Sequence, residues 1–219
     1  MNRPLLQVAL DHLDTPGALE SARLLGPEVD VLEVGTLLCY AEGVRAVQAV
    51  RACWPDHILL ADLKAADAGG VAAELVYSAG ATWMTVICSA PVPTMEAALK
   101  VARTYGADRD VQVELYGDWT FDHAQQWLDI GLTQAVYHRG RDAQAAGKGW
   151  DEADLQKINR LVEMGLVVSV TGGLTPQDLS QFRGIPVKAF IAGRSLYGAK
   201  DPVAAAQEFS REIRAGWGA

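Results

Sequence analysis

The sequence predicts a single-domain α/β protein, a (β/α)8 TIM barrel spanning residues 1–219. Three observations carry this expectation. Short runs rich in Val, Ile and Leu recur eight times, each closing on a polar residue or a glycine. The runs are nearly continuous in apolar character rather than alternating, as strands buried on both faces of a parallel sheet must be. Each is followed by a stretch with helical spacing, which makes about 27 residues per strand-helix unit, at the lean end for such a barrel. A doubly wound open sheet is the alternative, disfavoured by eight regular units with no Gly-x-Gly-x-x-Gly after the first strand.

"LLQVALD" (5–11) opens the pattern and leads into the helix "TPGALESARLLG", with Thr15 expected as N-cap and Pro16 at the first helical position. "VDVLEVG" (29–35) precedes "EGVRAVQAVRACW", and "HILLADLK" (57–64) precedes "GGVAAELVYSAG". "WMTVIC" (83–88) and "VQVELYG" (111–117) are followed by "PTMEAALKVARTYG" and "TFDHAQQWLDIG". After "QAVYHR" (134–139) a longer glycine- and alanine-containing segment intervenes before "EADLQKINRLVEMG", long enough to reach over a barrel mouth as a lid. "VVSVTGG" (167–173) precedes "TPQDLSQFRG", with Thr175 as a second expected N-cap before proline, and "AFIAGR" (189–194) precedes "DPVAAAQEFSREIRAGW". Glycines just past the last apolar position close several of these helices.

Half of the residues are apolar and 21% are charged, enough for one large core, and nothing marks a second domain. A net charge of -8 with acids and bases interspersed lacks the basic patch expected of a nucleic-acid or anionic-membrane binder. No run approaches a membrane span, and "MNRPLLQVALD" reaches Asp11 after too short an apolar stretch for a signal peptide, so a cytoplasmic enzyme of small molecules is expected. Cys39, Cys53 and Cys88 are odd in number and form no Cys-x-x-Cys pair, which predicts reduced packing residues. His12, His57 and His123 are expected at the surface, and most of the six tryptophans on helices.

In such a barrel the carboxyl ends of the strands form the active-site face. In order they are Asp11, Glu33, Asp62 with Lys64, Cys88, Glu114, His138, the Thr171-Gly172-Gly173 turn, and Gly193-Arg194. Side chains two apart on a strand share a face, so Asp62 and Lys64 both project toward the mouth, with Leu60 beneath them and Leu63 turned to the helices. Charges embedded in apolar strands cost several kcal/mol unless compensated. A divalent cation is the natural compensator for Glu33 and Asp62, and oxygen-only ligation predicts a hard ion such as Mg2+. "VTGGLTP" and "IAGRSL" offer backbone N–H groups at helix starts beside Arg194, which reads as a phosphate site after strands seven and eight. His138, followed by Arg139 and Arg141, fits a general acid or base.

With "LQVALD", "DVLEVGT", the Asp-x-Lys-x-x-Asp of "ADLKAADAG", "VYHRGRDAQAAG", "VTGG" and "FIAGRS" in this order and spacing, the chain resembles the 3-keto-L-gulonate 6-phosphate decarboxylases of the orotidine 5'-monophosphate decarboxylase suprafamily over its whole length. The resemblance implies a metal-dependent decarboxylation of a β-keto sugar acid phosphate to L-xylulose 5-phosphate, as in L-ascorbate catabolism, with no organic cofactor. It implies Glu33 and Asp62 on magnesium, Asp11 on substrate hydroxyls, and Thr171, Gly173, Gly193 and Arg194 at the substrate and its phosphate. Lys64 is implied to stabilise an enediolate and, with Asp67, to order the charge network. Glu114 is implied to position groups beside metal or substrate, and His138 and Arg141 to order the water that protonates the intermediate. Asp67 is implied to reach across an interface in a homodimer. The rival is 3-hexulose-6-phosphate synthase, which would use the same tips, while a phosphosugar epimerase would want metal-binding histidines at early tips, and these are missing.

Overall fold

In the computed structural model, which describes residues 3–218, the eight apolar runs become the strands β1 (Leu5–Leu10), β2 (Val31–Val34), β3 (Ile58–Ala65), β4 (Trp83–Ile87), β5 (Asp110–Leu115), β6 (Gln134–His138), β7 (Val167–Thr171) and β8 (Ala189–Ala192). They close into one barrel in chain order, and β8 pairs back onto β1. All eight pairings are parallel, as right-handed strand-helix-strand crossovers require.

Around the barrel run α1 (Thr15–Leu25), α2 (Thr36–Glu42), α3 (Val44–Cys53), α4 (Gly69–Ser78), α5 (Val92–Tyr105), α6 (Phe121–Asp129), α7 (Arg141–Ala145), α8 (Glu152–Glu163), α9 (Arg194–Tyr197) and α10 (Pro202–Trp217). The main core lies between sheet and helices. There the outward side chains of the strands, Leu6, Val8, Leu10, Leu32 and Val34 among them, meet the buried stripes of the helices. Inside the barrel two smaller apolar layers stack. Val31, Leu60 and Trp83 form the lower one, and Ala9, Val136 and Ile191 lie under the mouth. Helices α4 and α5 approach so closely that a Cβ on Gly69 would sit 2.0 Å from the Thr94 carbonyl oxygen, so only glycine fits there.

Local expectations are corrected in five places. The N-cap of α1 is Asp14, whose carboxylate accepts from the Gly17 N–H, so Thr15 lies one residue inside the helix; Thr175 does cap, in a reciprocal box with Asp178. The segment after it, Pro176–Phe182, is 3₁₀ rather than α. Its two buried residues, Leu179 and Phe182, are three apart and align on one side at three residues per turn. Between β2 and α3 stands an extra helix, α2, which ends at Gly43 in a positive-φ conformation. His12 and His57 are half-buried rather than at the surface: His12 packs on Tyr197 and bonds Ser21, and His57 bonds the Gly26 carbonyl. Only Trp127 and Trp217 lie within helices. Trp150 belongs to a run of ring contacts, Tyr137–Trp150–Phe182–Phe190–Trp217, that ties β6 to the C-terminal helix. All three cysteines are free, and among the described residues no helix is long and apolar enough to cross a membrane.

Candidate active site

The carboxyl ends of the strands surround a cavity of about 940 Å3. Its walls include eleven of the twelve residues singled out above: Asp11, Glu33, Asp62, Lys64, Glu114, His138, Arg141, Thr171, Gly173, Gly193 and Arg194. Asp67 is the exception. It is exposed, its carboxylate accepts from its neighbour's Ala68 N–H at 2.7 Å, and it takes no part in the Lys64 network of its own chain.

At the cavity floor Lys64 is the hub. Its ammonium pairs with Asp62, lies 2.9 Å from Glu114 Oε1 and donates to Thr36 Oγ1 at 2.7 Å. Thr36 Oγ1 in turn donates its own proton to Asp62 Oδ2 at 2.5 Å. Thr85 does the same from the other side, donating to Asp62 Oδ1 at 2.7 Å while accepting the Lys64 backbone N–H at 2.8 Å. Each hydroxyl thus uses one donor and one acceptor site, and Asp62 is saturated. Burial alone would raise the Asp62 carboxyl, but the Lys64 charge and these hydrogen bonds prevail and hold it down to about 2. Burial likewise opposes the charge on Lys64, yet Asp62 and Glu114 raise its pKa well above the usual value, so it stays an ammonium.

The expectation that simple alternation brings Asp62 and Lys64 to one face holds only through an irregularity. The pairing of β3 with β4 shifts register between Ala61 and Ala65, and Lys64 has φ of 47°, in the left-handed region that side chains disfavour. The bulge lets both charged groups face inward, while Leu63 packs outward against the main core.

Glu33 has a different environment. It is buried, and its Oε2 accepts from Gln7 Nε2 at 2.5 Å. No cationic side chain of the described residues forms an ion pair with it. Burial, then the neighbouring Asp62 charge, push its pKa well above normal. Glu114 is raised for the same two reasons, opposed by His138 and Lys64. Asp11 is raised too, mainly by burial and then by Asp62. Its carboxylate fits only because residue 35 is glycine: a Cβ there would lie 2.4 Å from Asp11 Oδ1.

This donor set fits a hard divalent cation. Glu33 and Asp62 face one cavity, and Glu33 needs a positive charge that the protein itself does not supply. Buried Gln7 Oε1 has no hydrogen-bond partner beside it. Among the described residues no group of three His, Cys, Asp or Glu side chains converges as a closed cage, which suits magnesium, an ion that keeps waters and takes substrate oxygens.

The cavity's far wall is cationic and backbone-rich. Arg141, Lys148, Lys157 and Arg194 line it with the Gly172-Gly173 turn, where both glycines have positive φ. Arg139, on which sequence reasoning placed no role, clasps this turn by donating twice to the Gly172 carbonyl at 3.0 and 2.7 Å, and it stacks over Trp150. Gln144, from the short α7 helix, lies against Gly173 so closely that no side chain could stand there. The expected lid segment therefore rests on the turn after β7. Thr36, Thr85, Gln7, Tyr116 and Gln144 were also missed, because each acts through a neighbour across the barrel and none carries a charge.

A profile of the family described as "Orotidine 5'-phosphate decarboxylase / HUMPS family" matches residues 4–209. The chain belongs to that family. A curated relative, the 3-keto-L-gulonate-6-phosphate decarboxylase UlaD of Salmonella paratyphi B, is 52% identical over 218 residues, with both chains covered completely. The crystal structure of KGPDC from Streptococcus mutans in complex with D-ribose 5-phosphate is 50% identical and superposes with a TM-score of 0.98, covering 99% of this chain and 100% of that one. A 3-hexulose-6-phosphate synthase structure is more distant, at 35% identity and a TM-score of 0.88, covering 95% and 99% of the two chains. The protein is an enzyme that removes carbon dioxide, a carboxy-lyase on a (β/α)8 barrel.

Proposed function

We propose that the protein is a magnesium-dependent decarboxylase of 3-keto-L-gulonate 6-phosphate that yields L-xylulose 5-phosphate and carbon dioxide, a step of L-ascorbate and related sugar acid catabolism. The observation that carries this reading is Lys64, held as an ammonium between Asp62 and Glu114 at the floor of a cavity whose opposite wall is cationic. It is supported by the 52% identity to the Salmonella relative.

A carboxylate β to a ketone loses carbon dioxide when the electron pair of the breaking C–C bond is received by the ketone oxygen. When bound, magnesium held by Glu33 and Asp62 supplies Lewis-acid stabilisation to substrate oxygens there. Lys64 places a fixed positive charge beside the developing enediolate, in a cavity where a preorganised donor acts more strongly than in water. Asp11 accepts from substrate hydroxyls. The turns at Thr171–Gly173 and Gly193–Arg194 hold the phosphate through backbone N–H groups and the Arg194 guanidinium. His138, oriented by Glu114, and Arg141 order the water that delivers a proton to the carbanionic carbon.

We also propose a cytoplasmic homodimer. Asp67 stands outside the cavity of its own chain, and Val71 and Leu75 expose apolar surface on α4 a few residues further on, which suits an interface that carries Asp67 to the neighbouring subunit's site.

The deciding experiment supplies pure protein and magnesium with 3-keto-L-gulonate 6-phosphate, and separately with formaldehyde and ribulose 5-phosphate. Carbon dioxide release far exceeding formaldehyde fixation is expected. Fixation without release would transfer the assignment to the synthase.

A further inference from the structure

We propose that Tyr116 is a positioning residue of the decarboxylation, setting the orientation of the His138 ring. This rests on the role of His138 proposed above. Glu114 ends the inward face of β5 and Tyr116 follows two residues later, so one strand end presents a carboxylate and an aromatic ring to the same neighbour. Glu114 Oε1 takes the His138 Nδ1 position. Tyr116 stands edge-on to the same imidazole, with ring centroids 5.4 Å apart at 70°.

One hydrogen bond fixes one point of a ring and leaves rotation about that point. A T-shaped aromatic contact removes it, and such pairs are worth about 0.5–1.5 kcal/mol beyond the area they bury. Together the two contacts aim Nε2 into the cavity, where a proton-delivering water would sit. Tyr116 itself is anchored from below, because its carbonyl accepts from Cys88 Sγ at 3.3 Å. The Tyr116 ring is 42% exposed, more than a core packing residue would be, and it lines the cavity. Because the ring makes the contact, phenylalanine should serve as well.

Four enzymes test this: wild type, Tyr116→Ala, Tyr116→Phe, and Tyr116→Ala combined with His138→Ala. Tyr116→Ala should lower kcat about 10-fold with KM within about 2-fold, since small misplacement of a catalytic group is costly. Tyr116→Phe should restore the wild-type rate, and the double variant should be no slower than His138→Ala alone. A tyrosine effect that persists undiminished without His138, or a phenylalanine variant as slow as alanine, would overturn the proposal. If the wild type released no carbon dioxide, the decarboxylase reading would fall while the tyrosine could still be judged, from 15N signals of the His138 ring in the ligand-free protein. Tyr116→Ala should broaden or mix those signals, and unchanged signals would refute the positioning role.

Discussion

At the amino-terminal end of the barrel, Gln112 donates to Gln134 Oε1 at 3.0 Å, Lys188 reaches the same oxygen, and Gln134 donates in turn to Asp110. At the carboxyl-terminal end, Glu33, Asp62, Glu114 and Asp11 gather around one buried ammonium, Lys64. Both ends bury polar side chains inside a closed sheet. The lower end does so with neutral amides and a lysine lying over the Trp83 ring, its pKa lowered to about 8 by burial. The upper end leaves carboxylates in excess, and three of the four have pKa values pushed upward. A polar core built for stability satisfies its own charges, whereas this one leaves a demand for positive charge that a ligand must meet.

The sharpest way to break that contrast is to remove what the upper end awaits. Chelation by EDTA, or Asp62→Asn, should lower turnover by about 10³-fold or more, the equivalent of losing roughly 4 kcal/mol of transition-state stabilisation, with magnesium restoring the chelated enzyme. Undiminished turnover in either assay would show that the carboxylate excess serves something other than a metal. Lys64→Ala should cost on the order of 10²-fold in kcat, about 3 kcal/mol for a preorganised donor, measured under saturating substrate.

Glu33→Gln separates stability from function. Its raised carboxyl binds a proton more tightly in the folded state. That contribution is therefore fully present below the ordinary value of 4.5 and is lost as pH rises through the folded pKa. Metal-free wild type should lose stability over that rise, and Glu33→Gln should not. Its melting temperature near neutral pH should be higher by about 2–4 °C for each 1 kcal/mol of relieved repulsion, while activity is lost. Asp62 has the opposite sign: its depressed pKa of about 2 contributes stability above 3.8 that disappears in acid. A lower melting point for Glu33→Gln would refute the account of an unmatched charge. The smallest effect is expected at the lower end. Lys188→Met should change kcat less than about 2-fold and leave stability near wild type, because a half-buried cation is exchanged for an apolar chain of similar reach.

The barrel and the charged members of its site were legible because both follow from local rules. Apolar runs at a regular spacing mark strands, and a carboxylate closing an apolar run has few structural explanations. Thr36 and Thr85 were not legible, since a threonine in or after a strand is ordinary. Their importance comes from meeting Asp62 from two different elements, one of them the helix α2, which lies where a plain loop was expected. Arg139 and Tyr116 escaped for a related reason: they act on a carbonyl and on a ring, partners that no motif names. Thr15 was misplaced by one residue because Asp14, an equally good cap, stands directly before it.

The left-handed backbone at Lys64 has a consequence for anyone who would move this chemistry elsewhere. A conformation of that kind costs a non-glycine residue about 1 kcal/mol or more and persists only where surrounding contacts impose it. Transplanting Asp-x-Lys onto the third strand of another barrel would carry the letters without the kink, and a regular strand has no reason to hold the ammonium among three acceptors. The portable unit is larger: the shifted register, the Thr85 hydroxyl that grips the Lys64 amide, and the helix that brings Thr36. Directed evolution of a new lyase on a borrowed scaffold should therefore begin from a strand already bent in this way.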